Sequence, residues 1–214
     1  VVDTAAYRLL VDTGPRFANR DVGRSNIFPV LRSTGSHKLN LLLLSHTDMD
    51  HAVGLSFFRA YFDALPEIGP RDCTHGTSWQ QDGVRFTTLQ AEGLASDNDL
   101  SCTLLLANDE QTAYLSGDIS ARAEQRLLQD LPGHISLLLA PHHGSKTSSS
   151  MPFVRHLSPD IVVFSAGRAN RYGHPHPHVV RRFSWEQSRQ FNTATSGAVQ
   201  WCSYQPDRVE QSRS

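Results

Sequence analysis

The segment LLLLSHTDMDH, residues 41–51, constrains this chain more than any other. Four leucines bounded by polar residues predict a buried strand that ends where the polar residues begin. His46, Asp48, Asp50 and His51 follow at the end of that strand and in the loop beyond it. Alternate side chains of an extended segment point to one side, so the first three can converge. Two imidazoles and two carboxylates this close need a neutralising cation, which predicts a metal site for two ions. A solvated acidic loop is the alternative, and it leaves the histidines unexplained.

The length and charge of the chain limit its organisation and its binding partners. The 214 residues are enough for one domain with a substantial core. We place that domain at residues 1–204 and expect a frayed polar tail over 205–214. The net charge is −1, so binding of a polyanion must depend on a local basic patch or on metal ions. No apolar run reaches the roughly 18–20 residues of a membrane span, which indicates a soluble domain, though one that a longer membrane protein could carry.

Two further features concern the start of the chain and its cysteines. Strand-like sequence from the first residue indicates that the N-terminal strand of a sheet is truncated. The cysteines Cys73, Cys102 and Cys202 permit at most one disulfide, and we expect ordinary core or surface cysteines instead.

The hydrophobic pattern predicts a mixed α/β chain. The predicted strands cover residues 7–11, 39–44, 84–89, 101–107, 112–115, 135–140, 161–165 and 198–204. The predicted helices cover residues 52–65, 120–131, 150–157 and 179–190. Polar residues recur in the short loops after the strands, where functional sites are often built. These loops hold Asp12, the cluster at 46–51, Asp118, the pair His142 and His143, and His174.

Asp118 and the histidine pair can each be interpreted in two ways. Asp118, in LSGDIS, suits either an N-cap of the next helix or a carboxylate that bridges two metal ions. In PHHGSKTSS, one of His142 and His143 can bind a metal while the other faces substrate or orients water. Ser145 and Lys146 behind them supply a hydroxyl donor and a cation suited to a phosphate. A polar loop without a function is the alternative.

The loop GRANRYGHPHPH contains no acidic residue and is rich in hydrogen-bond donors. Arg168, Asn170, Arg171 and His174 make it a candidate phosphodiester clamp, because arginine matches phosphate oxygens with two hydrogen bonds. A solvated proline-rich turn is the alternative. His176 and His178 are weaker candidates, since the extended geometry before proline can simply expose them.

Taken together in this order, the motifs resemble the metallo-β-lactamase fold superfamily. HTDMDH corresponds to its HxHxDH motif with aspartate at the third position. With the upstream DTG and the downstream LSGD, PHHGSKTS and NxxGHP, the chain looks like the C-terminal domain of ComEC-type DNA-uptake channel proteins. The resemblance covers nearly all of the chain to about residue 180.

The resemblance implies a four-layer αββα sandwich with a metal site at one edge of two facing sheets. It implies that the metal ligands are His46, Asp48, Asp50, His51, Asp118 and one histidine of the 142/143 pair, for which we take His142. It also implies that Asp12 orders the site from behind these ligands.

One departure from the superfamily affects the choice of metal. Where a separate histidine is usual, this chain has Asn98-Asp99-Leu100-Ser101, and ComEC-type domains share such an Asn/Ser pattern. We expect Asn98 and Ser101 to support the ligands from behind. An oxygen-rich site favours manganese over zinc, although zinc remains an alternative.

The motifs therefore predict a metal-dependent phosphodiester hydrolase, a DNA nuclease that degrades the non-transported strand during DNA uptake. Asp50 holds metal, and His143 or His174 protonates the leaving oxygen. The predicted partners are DNA and other competence proteins, and the predicted location is the outer side of the cytoplasmic membrane, as part of a polytopic channel protein. A hydrolase of a small ester, lactone or phosphocholine substrate and a non-catalytic DNA-binding or scaffold domain are the alternatives.

Overall fold

The computed structural model of the chain describes residues 1–17, 20–33, 38–168 and 170–213. Two sheets face each other, and helices cover the outer surface of each sheet. The layers follow the order helix, sheet, sheet, helix, which confirms the predicted αββα sandwich.

The secondary structure alternates between short strands and short helices. In chain order the strands are Val2–Asp3 (β1), Arg8–Val11 (β2), Arg16–Phe17 (β3), Arg20–Asp21 (β4), Leu41–Leu43 (β5), Glu67–Ile68 (β6), Ser78–Gln81 (β7), Val84–Leu89 (β8), Thr103–Ala107 (β9), Thr112–Leu115 (β10), Leu137–Leu139 (β11), Ile161–Phe164 (β12), Arg189–Asn192 (β13), Val199–Trp201 (β14) and Val209–Gln211 (β15). The α-helices are Phe28–Ser33 (α1), Met49–Ala52 (α2), Leu55–Tyr61 (α3), Ala121–Leu127 (α4), Met151–Leu157 (α5), Pro177–Trp185 (α6) and Thr193–Ser196 (α7). A π-helical turn at Gly23–Ile27 precedes α1, and 3₁₀ turns lie at Asn98–Leu100, Leu128–Asp130 and Pro141–Gly144.

The topology of the two main sheets brings the polar loops to one edge. The smaller sheet has the strand order β1-β2-β5-β6, and the larger has the order β13-β12-β11-β10-β9-β8-β7. Strands β2, β5 and β6 run parallel to one another, as do β10 to β13. Parallel strands end at the same edge of a sheet, so the loops after them meet there.

The leucine run owes its uninterrupted apolar character to burial on both faces of the smaller sheet. Leu41 and Leu43 pack between the sheets, together with Phe86 of β8. Leu42 lies on the opposite face, in the core beneath α1 and α3 that also contains Phe58. A strand covered on both faces loses the alternation of polar and apolar residues that a half-exposed strand shows.

Two predicted boundaries in the C-terminal region are wrong. The helix predicted over 179–190 ends at Trp185, and Gln187 with φ 60° turns the chain into β13 at the edge of the larger sheet. The tail predicted to be frayed contains β15, which pairs antiparallel with β14. Ser214 of that tail lies outside the described residues.

The expectation of unpaired cysteines is also wrong. Cys73 and Cys102 form a disulfide in the core between the sheets, while Cys202 is free and exposed. The two partners are 29 residues apart in sequence and meet only because the chain folds. Among the described residues, no helix combines the length and the apolarity that crossing a bilayer requires.

Candidate metal centre

Asp118 lies at the centre of the predicted site, in the loop after β10. Its Oδ2 atom is 3.5 Å from Nε2 of His143, 3.7 Å from Nε2 of His142 and 4.0 Å from Nε2 of His46. Its Oδ1 atom is 3.5 Å from Nε2 of His51. The loops after β5, β10 and β11 therefore meet as their positions in sequence predict.

The most compact group of ligand atoms belongs to Asp50, His51, Asp118 and His143. One atom from each of the four residues lies within 4.8 Å of the others. Oδ2 of Asp50 is 3.3 Å from Nε2 of His143 and 3.8 Å from Nε2 of His51. The group contains His143, which we predicted as a proton donor, rather than His142.

His46 and Asp48 form a second group next to the same bridging carboxylate. Nε2 of His46 lies 3.7 Å from Oδ2 of Asp48, and His46 is completely buried. Oδ2 of Asp118 thus lies near a histidine of each group, His143 and His46, while Oδ1 lies near His51 of the first group. A carboxylate in that position can contact two ions.

The unpartnered nitrogen atoms show that these residues fit a metal. Nε2 of His46, His51 and His143 are buried, and none has a hydrogen-bond partner among the described residues. Nδ1 of His51 is 2.7 Å from Asp12, so Nδ1 carries a proton, and in the neutral ring Nε2 keeps a lone pair that a metal can use. Lone pairs that face carboxylate oxygens at 3.3–4.0 Å repel them, so either a second proton on the imidazole or a metal ion has to lie between. Imidazole nitrogen and carboxylate oxygen are the usual ligands of zinc and manganese.

Asp12, in the loop after β2, supports two of these residues from behind, His51 directly and His46 through Ser45. Its Oδ1 atom accepts a hydrogen bond from the Ser45 amide at 2.8 Å, and its Oδ2 atom accepts one from the Ser45 hydroxyl at 2.8 Å. Oδ2 also accepts the hydrogen bond from His51, and Nδ1 of His46 is 3.0 Å from the same Ser45 hydroxyl. Such contacts fix the orientation of a histidine ligand and the nitrogen that carries its proton. Ser45 did not emerge from the sequence, although it directly precedes His46.

Ser101 and Gly117 bring Asp118 close to the smaller sheet. The Ser101 hydroxyl accepts a hydrogen bond from the Asp118 amide at 3.2 Å and donates one to the carbonyl of Asn98 at 2.7 Å. Gly117 has φ 54°, and a Cβ atom there would lie 2.8 Å from Cβ of Ser101. Only glycine fits this position. Asn98 therefore supports Ser101 through its main-chain carbonyl, while the hydroxyl of Ser101 contacts the amide of Asp118 directly.

The histidine pair lies in a strained turn. His142 and His143 have φ values of 50° and 56°, in the left-handed region that most residues avoid. The His142 amide donates to the carbonyl of Gly117 at 3.0 Å, and the carbonyl of Gly144 accepts from the His176 amide at 2.9 Å. Strain of this kind persists where the surroundings over-determine the backbone, as they do here.

The carboxylates dominate the electrostatics of the centre. Burial lowers the pKa of His51, but Asp118 and Asp12 outweigh it and raise the pKa of His51 to about 10. The neighbouring His143 holds the pKa of Asp50 far below its usual range. Burial opposes the ionisation of Asp118, yet His51, His143 and His142 lower its pKa. Burial and the charge of His51 lower the pKa of His46. Both carboxylates stay charged at neutral pH, and protons held by His51 and His143, whose pKa values the carboxylates raise, balance them where no metal ion is bound.

The predicted substrate-binding residues differ in their exposure. Lys146, Arg168 and Arg171 are exposed. Ser145 is buried, and its hydroxyl pairs with that of Thr147 at 3.0 Å, so it faces its own turn. The side chain of Asn170 binds both main-chain groups of His174 and so shapes its own loop.

The centre itself is open to solvent. The side chains of Asp48 and Asp50 are 50% and 49% exposed. A cavity of about 390 Å³ lies near the N-terminal ends of β11, β12 and β13, and its walls include His134, Asp160 and Arg189 but no residue of the centre. Those strand ends are opposite the edge that carries Asp118.

Comparisons with known proteins agree with this geometry. No family model matches the chain. Recombination protein 2 of Haemophilus influenzae is 34% identical over 214 residues, covering 94% of this chain and 27% of that protein. Competence protein ComA of Neisseria gonorrhoeae is 34% identical over 212 residues, covering 94% of this chain and 30% of ComA. The chain thus spans less than a third of the length of these relatives.

A solved structure supports the fold assignment. The metallo-β-lactamase fold protein YhfI from Bacillus subtilis matches with a TM-score of 0.57 at 13% identity, covering 89% of this chain and 85% of YhfI. At this identity the match concerns the fold alone. The order of helix and sheet layers agrees with this fold, and the candidate metal ligands meet at Asp118. The chain has the metallo-β-lactamase fold, and with these sequence relatives it fits the C-terminal domain of a ComEC-type competence protein.

Proposed function

We propose that this domain is a metal-dependent phosphodiester hydrolase that cleaves DNA during DNA uptake. The observation that carries the proposal is the set of three buried imidazole nitrogens that have no hydrogen-bond partner in the described part of the chain and face Asp50 and Asp118 in a solvent-open centre. The competence-protein relatives support DNA as the substrate.

The proposed ligands form two groups around Asp118. Asp50, His51 and His143 would hold one divalent ion, and His46 and Asp48 would hold the other. Bound ions would polarise the phosphoryl group and make water more acidic. We favour manganese because carboxylates contribute several of the ligand atoms.

The side chains at the rim would position the DNA backbone. Lys146, Arg168 and Arg171 offer cations that neutralise phosphate charge, and arginine can bind two phosphate oxygens at once. The exposure of Asp48 and Asp50 favours a polymer over a small molecule, because small-molecule sites enclose most of their ligand. This distinguishes the proposal from hydrolysis of a lactone or a small ester.

Proton transfer to the leaving group would involve His174. Water adds to phosphorus and gives up one proton to solvent, the bond to the 3′ or 5′ oxygen breaks, and that oxygen takes a proton from a donor side chain that solvent then reprotonates. We predicted either His143 or His174 as the donor. His143 lies within the ligand group, while the His174 ring is 5.8 Å from the His142 ring at the rim, so we assign this step to His174.

A cleavage assay tests the proposal. Protein stripped of divalent ions is given a labelled oligonucleotide, and manganese, magnesium and zinc are added back separately. We expect cleavage with manganese, none without a divalent ion, and none with the Asp118→Asn or Asp50→Ala variant. The Asp160→Asn variant, at the opposite edge of the sheet, is the matched control. Cleavage that survives in Asp118→Asn would refute the proposal.

We also infer that the chain is one domain of a longer membrane protein and lies on the outer side of the cytoplasmic membrane. The length of the relatives supports a longer parent protein, the resemblance to DNA-uptake channel proteins supports a membrane protein, and the disulfide supports the outer side, because disulfides persist in oxidising compartments. Cys202 is exposed and free, so a membrane-impermeant maleimide should label it in cells whose cytoplasmic membrane is intact. Labelling only after lysis would contradict this location.

A further inference from the structure

Tyr172 is a large aromatic residue that the fold leaves 65% exposed beside the metal centre. We infer that Tyr172 is the platform on which a nucleobase next to the scissile phosphate stacks, so that the domain grips unpaired DNA. This role rests on the proposed phosphodiester hydrolysis and makes Tyr172 the residue that contacts the base.

Ring contacts connect Tyr172 with the centre. Its ring stacks on the ring of His174, with centroids 5.7 Å apart and planes at 18°. The ring of His174 lies 5.8 Å from that of His142, whose Nε2 atom is 3.7 Å from Asp118. Two ring contacts therefore separate Tyr172 from His142, which itself contacts the carboxylate that both ligand groups share.

The loop holds the aromatic ring in place without burying it. Oδ1 of Asn170 accepts a hydrogen bond from the His174 amide at 2.7 Å, and Nδ2 of Asn170 donates one to the His174 carbonyl at 2.8 Å. His174 is thereby fixed, and it supports the Tyr172 ring from below. A ring that is already ordered loses little entropy when a ligand stacks on it.

The charge around the ring suits a nucleic acid. The guanidinium of exposed Arg171 lies over the Tyr172 ring, 4.9 Å from its centre, and donates a hydrogen bond to its hydroxyl at 2.7 Å. No acidic residue occurs between residues 166 and 178. An aromatic face beside a cation is the combination by which proteins bind single strands without reading their sequence.

The inference also explains which form of DNA the site would accept. Bases inside a duplex are already stacked on their neighbours and offer no free face to a protein ring. Tyr172 would therefore favour single strands and frayed ends. Other exposed aromatic residues lie outside the Tyr172 loop and can serve as controls for it. They are Tyr61 in α3, Trp185 in α6 and Tyr204 in the C-terminal hairpin.

Binding in the absence of divalent ions separates this inference from catalysis. The affinity of the ion-stripped protein for a labelled single strand is measured by fluorescence anisotropy. We expect Tyr172→Ala to weaken binding by about 5- to 150-fold, the range for loss of one stacked base. Tyr172→Trp should retain the affinity. Tyr204→Ala, which also removes an exposed tyrosine, should leave it unchanged.

Strands with one abasic residue identify stacking as the cause. Wild type should lose affinity when the abasic residue occupies the stacked position, and Tyr172→Ala should lose nothing further there. Unchanged binding in Tyr172→Ala, or an equal loss on every abasic strand, would overturn the inference. Tyr172-dependent binding without cleavage by any ion would refute the hydrolase function alone. Metal-dependent cleavage with binding that ignores Tyr172 would refute only this inference.

Discussion

Replacing Asp12 with asparagine would test how the centre is held. Asp12 has φ 57°, a conformation that asparagine also tolerates, so the exchange removes a charge with little change in shape. The three donors on Asp12 are the amide and hydroxyl of Ser45 and Nδ1 of His51, at 2.7–2.8 Å. An amide offers one oxygen, and its NH₂ group would face at least one of these donors.

The exchange is expected to weaken metal binding, because it can remove the lone pair on Nε2 of His51. If the new NH₂ group faces Nδ1 of His51, the imidazole proton moves to Nε2, which faces Asp118 and then no longer offers a lone pair to a metal. If the amide is flipped, its NH₂ group opposes the Ser45 amide and the loop moves. Loss of such a supporting contact typically lowers metal affinity by about 10- to 100-fold, or about 1.4–2.7 kcal/mol.

The measurement is a competition for manganese between the protein and a fluorescent chelator. Wild type, Asp12→Asn and the control Asp160→Asn are compared at one neutral pH. Asp160→Asn should bind manganese as wild type does, because Asp160 pairs with His134 far from the centre. Wild-type affinity in Asp12→Asn would refute the argument that Asp12 sets the proton position on His51.

Three further predictions concern stability and DNA binding. Glu124→Gln should lower the free energy of unfolding by about 1–3 kcal/mol in denaturant titrations. Buried Glu124 accepts hydrogen bonds from the amides of Ser149 and Ser150, and glutamine would leave one of these amides without an acceptor. An equal loss in Glu110→Gln, which changes an exposed glutamate, would contradict this. Removing the disulfide with paired serine substitutions at Cys73 and Cys102 should lower the free energy of unfolding by about 3–4 kcal/mol for a closed loop of this length, whereas Cys202→Ser should have no effect. Lys146→Ala should reduce the slope of log affinity for DNA against log salt by about 1, and an unchanged slope would remove Lys146 from the phosphate contacts.

The grouping of the candidate metal ligands could be predicted partly from local spacing and partly from the family resemblance. HTDMDH follows β5, and the short loop after that strand brings Nε2 of His46 to 3.7 Å from Oδ2 of Asp48. The order of the other motifs supplied Asp118 and the histidine pair, and parallel strands place their loops at one edge. The leucine run also indicated a strand buried on both faces.

Features that depend on distant contacts could not be predicted. Nothing in the spacing of Cys73 and Cys102 indicates that they pair. Glu124 lies in the polar sequence ARAEQRL, which is typical of an exposed helix, and it is buried because the loop at 148–150 closes over it. The choice of His143 over His142 for the compact ligand group depends on the left-handed turn that both residues share.

The central claim is that Asp118 joins two groups of ligands around two divalent ions. Anomalous diffraction from crystals grown with manganese tests it most directly. The account predicts two manganese peaks that share Asp118, one with Asp50, His51 and His143 and the other with His46 and Asp48. No peak beside Asp118, or manganese bound only elsewhere on the protein, would contradict it.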